Sequence, residues 1–230
     1  MKSPLSLIAG GTGLVGSHVI KALSKKSGAQ IILARSFDSE IPQNADLQII
    51  NFDSLSSNKV KLKNDIDHVY LCLGKRLSTH ELGYMQHSAR ESFKLIDFEY
   101  PLSIAKLAYD SGARSIALVS AVGAQEGSFN YYFHIKGKLE NEIRKIGYEN
   151  ICFARPGHLL GARKDFRGYE IPILESGLRI AAPFMQGPLM NFRQIEAKQV
   201  AESMVVNLQN KKRGESYLFY EDFRKTDTFE

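Results

Sequence analysis

The chain has 230 residues, of which 43% are hydrophobic and 24% charged, with a formal net charge of +5. This is an ordinary soluble composition for one α/β domain whose core needs no disulfide or metal staple. No stretch approaches the roughly 20 apolar residues of a membrane span, so no membrane partner is expected. The densest basic run, Lys211-Lys212-Arg213 before Gly214, reads as a cation-rich helix C-terminus with a glycine stop, and no nucleic-acid partner is expected. The two cysteines, Cys72 and Cys152, each sit inside an apolar run and read as reduced core thiols. No Cys/His cluster has metal-ligand spacing. Met1-Lys2-Ser3-Pro4 leads into an apolar run too short for a signal peptide, with no cleavage site. Together these features predict a cytoplasmic protein.

Short apolar runs alternate with longer amphipathic segments. Leu5 to Ala9 predicts a buried strand, and a helix follows over about 13–26 with Val15, Val19, Ile20 and Leu23 on one face. Strands are predicted at 31–34, 46–50 and 67–73, the last buried on both faces. A long helix is predicted over about 88–111, capped by Gly112, then a strand at 116–119. A helix over about 129–146 stops at Gly147 and precedes a strand at 151–154. Residues 157–188 are irregular. A helix over about 195–209 and a strand near 217–220 complete the pattern. Alternation of this kind predicts one Rossmann-type domain over 1–230, a doubly wound parallel sheet with helices on both faces. The cofactor half runs to about residue 125, and the active-site helix and substrate side occupy about 126–230.

Between the first strand and the first helix lies Gly10-Gly11-Thr12-Gly13-Leu14-Val15-Gly16. Glycine permits positive φ in such a turn and lets the backbone approach a pyrophosphate with no Cβ in the way. The helix N-terminus offers free N–H groups and a positive dipole end to the phosphates. Gly16 allows close packing of helix on strand. The strand–turn–helix context makes this a dinucleotide site, with Gly10, Thr12, Gly13, Leu14, Val15 and Gly16 as cofactor contacts.

Where an NAD-preferring fold places an acid after the second strand, this chain has Arg35-Ser36. Arg35 suits a ribose 2′-phosphate and Ser36 adds a hydrogen bond, so NADP(H) is favoured over NAD(H). Asp38 is the competing acid, three residues further out. Asp53 is either an adenine contact or a turn aspartate. Leu73-Gly74 ends the fourth strand where the chain passes close to the cofactor, and Lys75 and Arg76 follow as candidates for an anionic group.

Tyr132 and Lys136 stand at i and i+4 and therefore share a helix face. A lysine ammonium near a phenol lowers its pKa from about 10, and such a tyrosine passes protons to or from a carbonyl or hydroxyl oxygen. Lys136 is also placed to hold the nicotinamide ribose. Ser120, at the end of the fifth strand, is placed to position the substrate oxygen. Tyr131 has Ile135 four residues on, so the register selects Tyr132, and His134 reads as a surface or packing residue.

These residues resemble the short-chain dehydrogenase/reductase superfamily. Cys72-Leu73-Gly74, Ile96-Asp97, Ser120-Ala121-Val122-Gly123-Ala124, Lys136-Gly137 and Arg155-Pro156-Gly157 resemble its atypical NAD(P)H-binding group, in particular the Tat-interacting-protein oxidoreductases and bacterial proteins similar to nucleoside-diphosphate-sugar epimerases. The likeness covers about residues 5–161. It implies a Rossmann-type sheet, NADPH binding at Gly10 to Gly16 and Arg35, and a Ser120/Tyr132/Lys136 active site. The superfamily often carries an asparagine in the long middle helix. Here Asp97 lies in that helix instead, as either a surface acid or a functional one. Pro156 fits a rigid exit from the sixth strand beside the nicotinamide.

The expected function is an NADP-dependent oxidoreductase acting on a small carbonyl or alcohol, with Arg163, Arg167 and Tyr169 in the substrate wall. The alternatives are an NADPH-binding regulator without turnover and an epimerase or dehydratase that uses the nicotinamide transiently. Fold alone does not separate them. The long middle helix offers a face for a homodimer.

Overall fold

Along the first strand, β1 (Leu5–Ala9), successive side chains must point to opposite faces. Leu7 and Ala9 enter one hydrophobic cluster and Ile8 the other. The same alternation divides β2 (Ala29–Ala34), β4 (His68–Leu71), β5 (Ser115–Val119) and β6 (Asn150–Ala154) between two layers. Apolar strands with both faces buried need helices on both sides, and parallel crossovers supply them. The computed structural model describes residues 4–26, 28–37, 40–57, 60, 62, 65–161, 185–210 and 213–225.

Seven strands form one sheet in the order β3-β2-β1-β4-β5-β6-β9, with β3 at Ala45–Ile49 and β9 at Gly214–Leu218. Every neighbouring pair is parallel. A two-stranded parallel sheet pairs β7 (Leu159–Leu160) with β8 (Ile195–Glu196). On one face lie α1 (Leu14–Lys25) and a late helix (Ala197–Gln209), packed through Val19, Leu23, Val200 and Met204. On the other lie the middle helices and α5 (Tyr131–Ile146), packed through Phe93, Ile104, Leu139 and Ile143. A short α2 (Thr79–Gly83) precedes them. Among the described residues no helix is long and apolar enough to cross a membrane.

Most boundaries shift by a residue or two, and three departures from expectation matter more. The middle helix is not uniform: α3 (His87–Lys94) and α4 (Tyr100–Asp110) are joined by a π turn, Leu95–Glu99. The late helix, α6, begins at Ala197 because Ile195 and Glu196 pair as β8. The last strand ends at Leu218, and Tyr220 opens a short helix, α7 (Tyr220–Arg224). Both cysteines are free thiols, and burial pushes each up to about 12. Gly112 and Gly147 take the left-handed conformation that ends α4 and α5.

Tyr70, in the centre of β4, is fully buried, and its hydroxyl meets no partner among the described residues. Burial pushes its phenol well above the ordinary value. A buried hydroxyl without a partner is worth less than the apolar group that replaces it. Tyr70→Phe is therefore expected to stabilise the fold by about 1 kcal/mol. In a thermal melt the midpoint should rise by about 2–4 °C. A fall would show that the hydroxyl is satisfied.

Candidate functional site

The strand order turns back at β1, whose neighbours are β2 and β4. In parallel sheets ligands bind outside the carboxyl ends of the strands at this switch point. Here the glycine turn lies. Gly10 has φ +88, and a Cβ on it would meet the Cys72 carbonyl carbon and oxygen, each at 2.6 Å. Gly16 is held more tightly still: its Cβ would lie 2.2 Å from the Gly10 carbonyl oxygen. The turn is closed by the Gly13 N–H donating to the Gly10 carbonyl at 2.9 Å. No side chain caps α1, and no acid stands in its first turn. Thr12 is exposed, Leu14 is half-buried and Val15 is buried against the sheet. The cradle thus excludes side chains, and no acid in the first turn of α1 competes for its free amides. A pyrophosphate fits that chemistry.

Arg35 and Ser36 follow β2 directly and are exposed. The Arg35 guanidinium lies 6.0 Å from the centre of the Phe52 ring. Beside it, in the 3-10 turn Phe52–Ser57, the Asp53 carboxylate accepts a hydrogen bond from the Tyr100 hydroxyl. Asp53 is thus tied to α4. Asp38 lies outside the described residues.

Asn130 caps α5, its side-chain oxygen accepting from the N–H groups of Tyr132 and Phe133 at 2.9 and 3.3 Å. Its amide also donates to the Leu82 carbonyl at 2.8 Å, fixing α2 to the start of α5. Gly137 brings the helix against the loop after β5, where a Cβ would lie 2.3 Å from the Gln125 carbonyl carbon. Tyr132, Lys136 and Glu140 then fall on one stripe, at i, i+4 and i+8.

Lys136 is buried, and its Nζ lies 2.9 Å from Asp97 Oδ1. The other oxygen of Asp97 accepts the Lys75 main-chain N–H at 2.7 Å. Burial pulls Lys136 down. Asp97, Tyr132 and Glu140 together outweigh it, so the ammonium is held above its ordinary value. The Lys136 ammonium lies 5.9 Å from the centre of the Tyr132 ring. Lys136 pulls the phenol down as expected, but burial together with the Asp97 carboxylate outweighs it and the phenol is raised. The expected lowering of Tyr132 is corrected on that ground. Asp97 itself is 1% exposed, so it is no surface acid.

Ser120 is buried at the end of β5, and its hydroxyl donates to Glu140 Oε1 at 2.6 Å. Glu140 in turn receives the Arg155 Nε at 2.9 Å. The serine proton is therefore committed within the protein. Leu73 and Gly74 lie just beyond β4, and a Cβ on Gly74 would stand 3.5 Å from Asp97 Oδ1. The Lys75 ammonium donates to Ser92. Pro156 is buried, and its carbonyl accepts the Val122 N–H at 3.0 Å. Tyr131 packs on Phe93 and under Arg90, and His134 bonds the Glu126 carbonyl. Arg163, Arg167 and Tyr169 lie outside the described residues.

The sequence reading missed Glu140 and Asn130. A signal existed for both: an acid within a buried helical stripe, and an asparagine directly before the helix.

A model of the NAD dependent epimerase/dehydratase family matches residues 6–174. The mitochondrial protein FMP52 of Candida albicans is 29% identical over 202 residues, 86% of this chain and 84% of that protein. That of Kluyveromyces lactis is 30% identical over 168 residues, 71% of each. The solved UDP-N-acetylglucosamine 4-epimerase of Bacillus cereus has a TM-score of 0.62 at 18% identity, covering 98% of this chain and 81% of its own. Human epimerase family protein SDR39U1, solved with NADPH, has a TM-score of 0.62 at 16% identity, covering 94% and 74%. These two likenesses carry the fold. Both yeast relatives are named mitochondrial, which overturns the cytoplasmic expectation. Reduced thiols and a plain N-terminal run speak to redox state and secretion, and neither bears on import into an organelle. The matched span runs from β1 past β7 and takes in both the glycine turn and α5, and the chain belongs to the NAD dependent epimerase/dehydratase family.

Proposed function

We propose that the chain is an NADP-dependent oxidoreductase acting on a small carbonyl or alcohol, in the mitochondrial setting named for its relatives. The observation that carries this reading is the stripe on α5, where Tyr132 lies beside a buried, charged Lys136. A surface i,i+4 pair would leave both groups in water.

Bound NADP(H) supplies or takes up the hydride. The turn Gly10 to Gly16 holds the pyrophosphate on backbone amides. Arg35, exposed beyond β2, pairs with the 2′-phosphate, and Ser36 adds a donor. Tyr132 exchanges a proton with the substrate oxygen. Lys136 gives one donor to Asp97 and keeps others for the ribose. Ser120 has its proton on Glu140, so it meets a substrate hydroxyl as an acceptor. Leu73, Gly74 and Pro156 line the nicotinamide end, and Asp53 stands at the adenosine end.

A regulator that binds NADPH without turnover is the second reading. It is favoured by the same internal bonds, because Ser120 and Lys136 each hold a carboxylate partner within the protein already. The family's epimerase chemistry would use the same tyrosine without net cofactor consumption.

Two variants test the proposal. Arg35→Ala is expected to weaken NADPH roughly 10- to 150-fold, the loss of one charged hydrogen bond of about 1.5–3 kcal/mol, and to leave NADH unchanged. Fluorescence titration of both cofactors measures it, and an unaltered ratio removes the NADP preference. For Tyr132→Phe, NADPH consumption with a panel of aldehydes, ketones and quinones is expected to fall about 10²- to 10⁴-fold while cofactor binding is retained. Full activity in this variant refutes the acid/base role. Tight NADPH binding with no turnover by the parent protein supports the regulator.

A further inference from the structure

The π turn Leu95–Glu99 interrupts the middle helix where Asp97 faces α5. One extra residue in a helical turn re-aims the side chains within it, and such insertions are frequent at functional sites. Here the re-aimed side chain is a carboxylate, buried and bonded on both oxygens: to Lys136 Nζ at 2.9 Å and to the Lys75 N–H at 2.7 Å. The loop after β4, the middle helix and α5 thus converge on one acid.

We propose that Asp97 is a positioning residue that, by pairing with Lys136, keeps Tyr132 a proton donor and sets the site to reduce carbonyls. The inference rests on the reading of Tyr132 as the acid/base.

An isolated ammonium on α5 would favour phenolate on Tyr132. Asp97 offsets that field. The charged groups acting on the phenol are Lys136 from its own helix and Asp97 from the π turn. From α3 the ring meets Phe93, which is neutral, and the Lys75 side chain is turned to Ser92. With the pair formed, burial decides the balance, and the phenol keeps its proton through neutral pH. Alcohol oxidation needs the phenolate to accept a proton. Carbonyl reduction needs the phenol to give one. In that reduction the carbonyl carbon accepts a two-electron hydride from NADPH, leaving NADP⁺. The C=O π pair moves onto oxygen, and the oxygen takes the Tyr132 proton. Solvent then reprotonates the phenolate. Lys136 keeps its proton throughout.

The test reads the Tyr132 phenol directly by ultraviolet titration of the cofactor-free protein. Subtracting the curve of Tyr132→Phe isolates one phenol among ten tyrosines. Asp97→Asn is expected to move that midpoint to lower pH by about one unit or more. If Asp97→Asn does not fold, a second pair decides. Lys136→Met should raise the midpoint, and Asp97→Asn/Lys136→Met should bring it back down. Coincidence of the single and double variants, or an unmoved midpoint in Asp97→Asn, overturns the proposal. In turnover, the alkaline limb of carbonyl reduction should shift down with the phenol midpoint. Full activity in Tyr132→Phe would sink the acid/base reading of Tyr132, while the titration still decides whether Asp97 governs the phenol.

Discussion

The ion pair between Asp97 and Lys136 holds the site together. Both side chains are almost wholly withdrawn from water. Burying two charges is unfavourable unless geometry and further hydrogen bonds compensate, and removing one partner of such a pair typically costs about 3–5 kcal/mol. Here the compensation is visible. The second Asp97 oxygen takes the Lys75 N–H, and the Glu140 carboxylate adds to the field on Lys136. The pair is therefore tied to the loop after β4 as well as to α5. It links α5, which carries the candidate acid/base, to the loop that leaves β4 beside the glycine turn. A shift of α5 would strand a charge in the core, so the position of Tyr132 relative to the cofactor cradle is fixed electrostatically as well as by packing.

The cradle is constrained by space rather than charge. Gly10 and Gly16 stand so close to backbone that a methyl group would overlap carbonyl atoms, which cannot move aside as a side chain can. Two requirements meet in one short turn: β1 must pass beneath the exit of β4, and α1 must start on top of β1. Only glycine satisfies both. The result is a row of amides at the sheet's switch point with no carboxylate in the first helical turn. Phosphate recognition thus follows from the way the strand and helix are joined.

Much of this was legible in the sequence. Near-continuous apolar runs separated by helical stripes pointed to the sheet, because each strand must serve two cores. The glycine turn was legible because its spacing encodes a steric rule. Tyr132 and Lys136 were legible as a pair because their separation equals one helical turn. Asp97 was harder. Phe93, Asp97, Tyr100, Ile104 and Ala108 are all buried, so the acid sits within an apolar stripe, which is the anomaly that marks a paired charge. Weighing Asp97 as a surface acid passed over that anomaly, and the π turn that carries it has no reliable signature in sequence. The phenol's shift was misjudged for the same reason: a field from Lys136 was considered without the carboxylate that offsets it.

Glu140 completes the logic of α5. One turn beyond Lys136 the helix presents the opposite charge, and Arg155 at the end of β6 neutralises it. The helix is thus pinned by two ion pairs of opposite polarity, one to the middle helix and one, partly exposed at Arg155, to the sheet. Ser120 belongs to the second pair, since its proton goes to Glu140. A hydroxyl bonded in this way is held in one rotamer with a lone pair free to accept. Such an acceptor suits an alcohol better than a carbonyl, because an alcohol donates and a carbonyl does not. In the proposed reduction Tyr132 would meet the carbonyl, because a protonated phenol donates. Under that proposal the two groups are complementary, one suited to the oxygen before hydride transfer and one to the oxygen after it. That division follows from which buried carboxylate each group faces: Asp97 through Lys136 for the tyrosine, Glu140 directly for the serine.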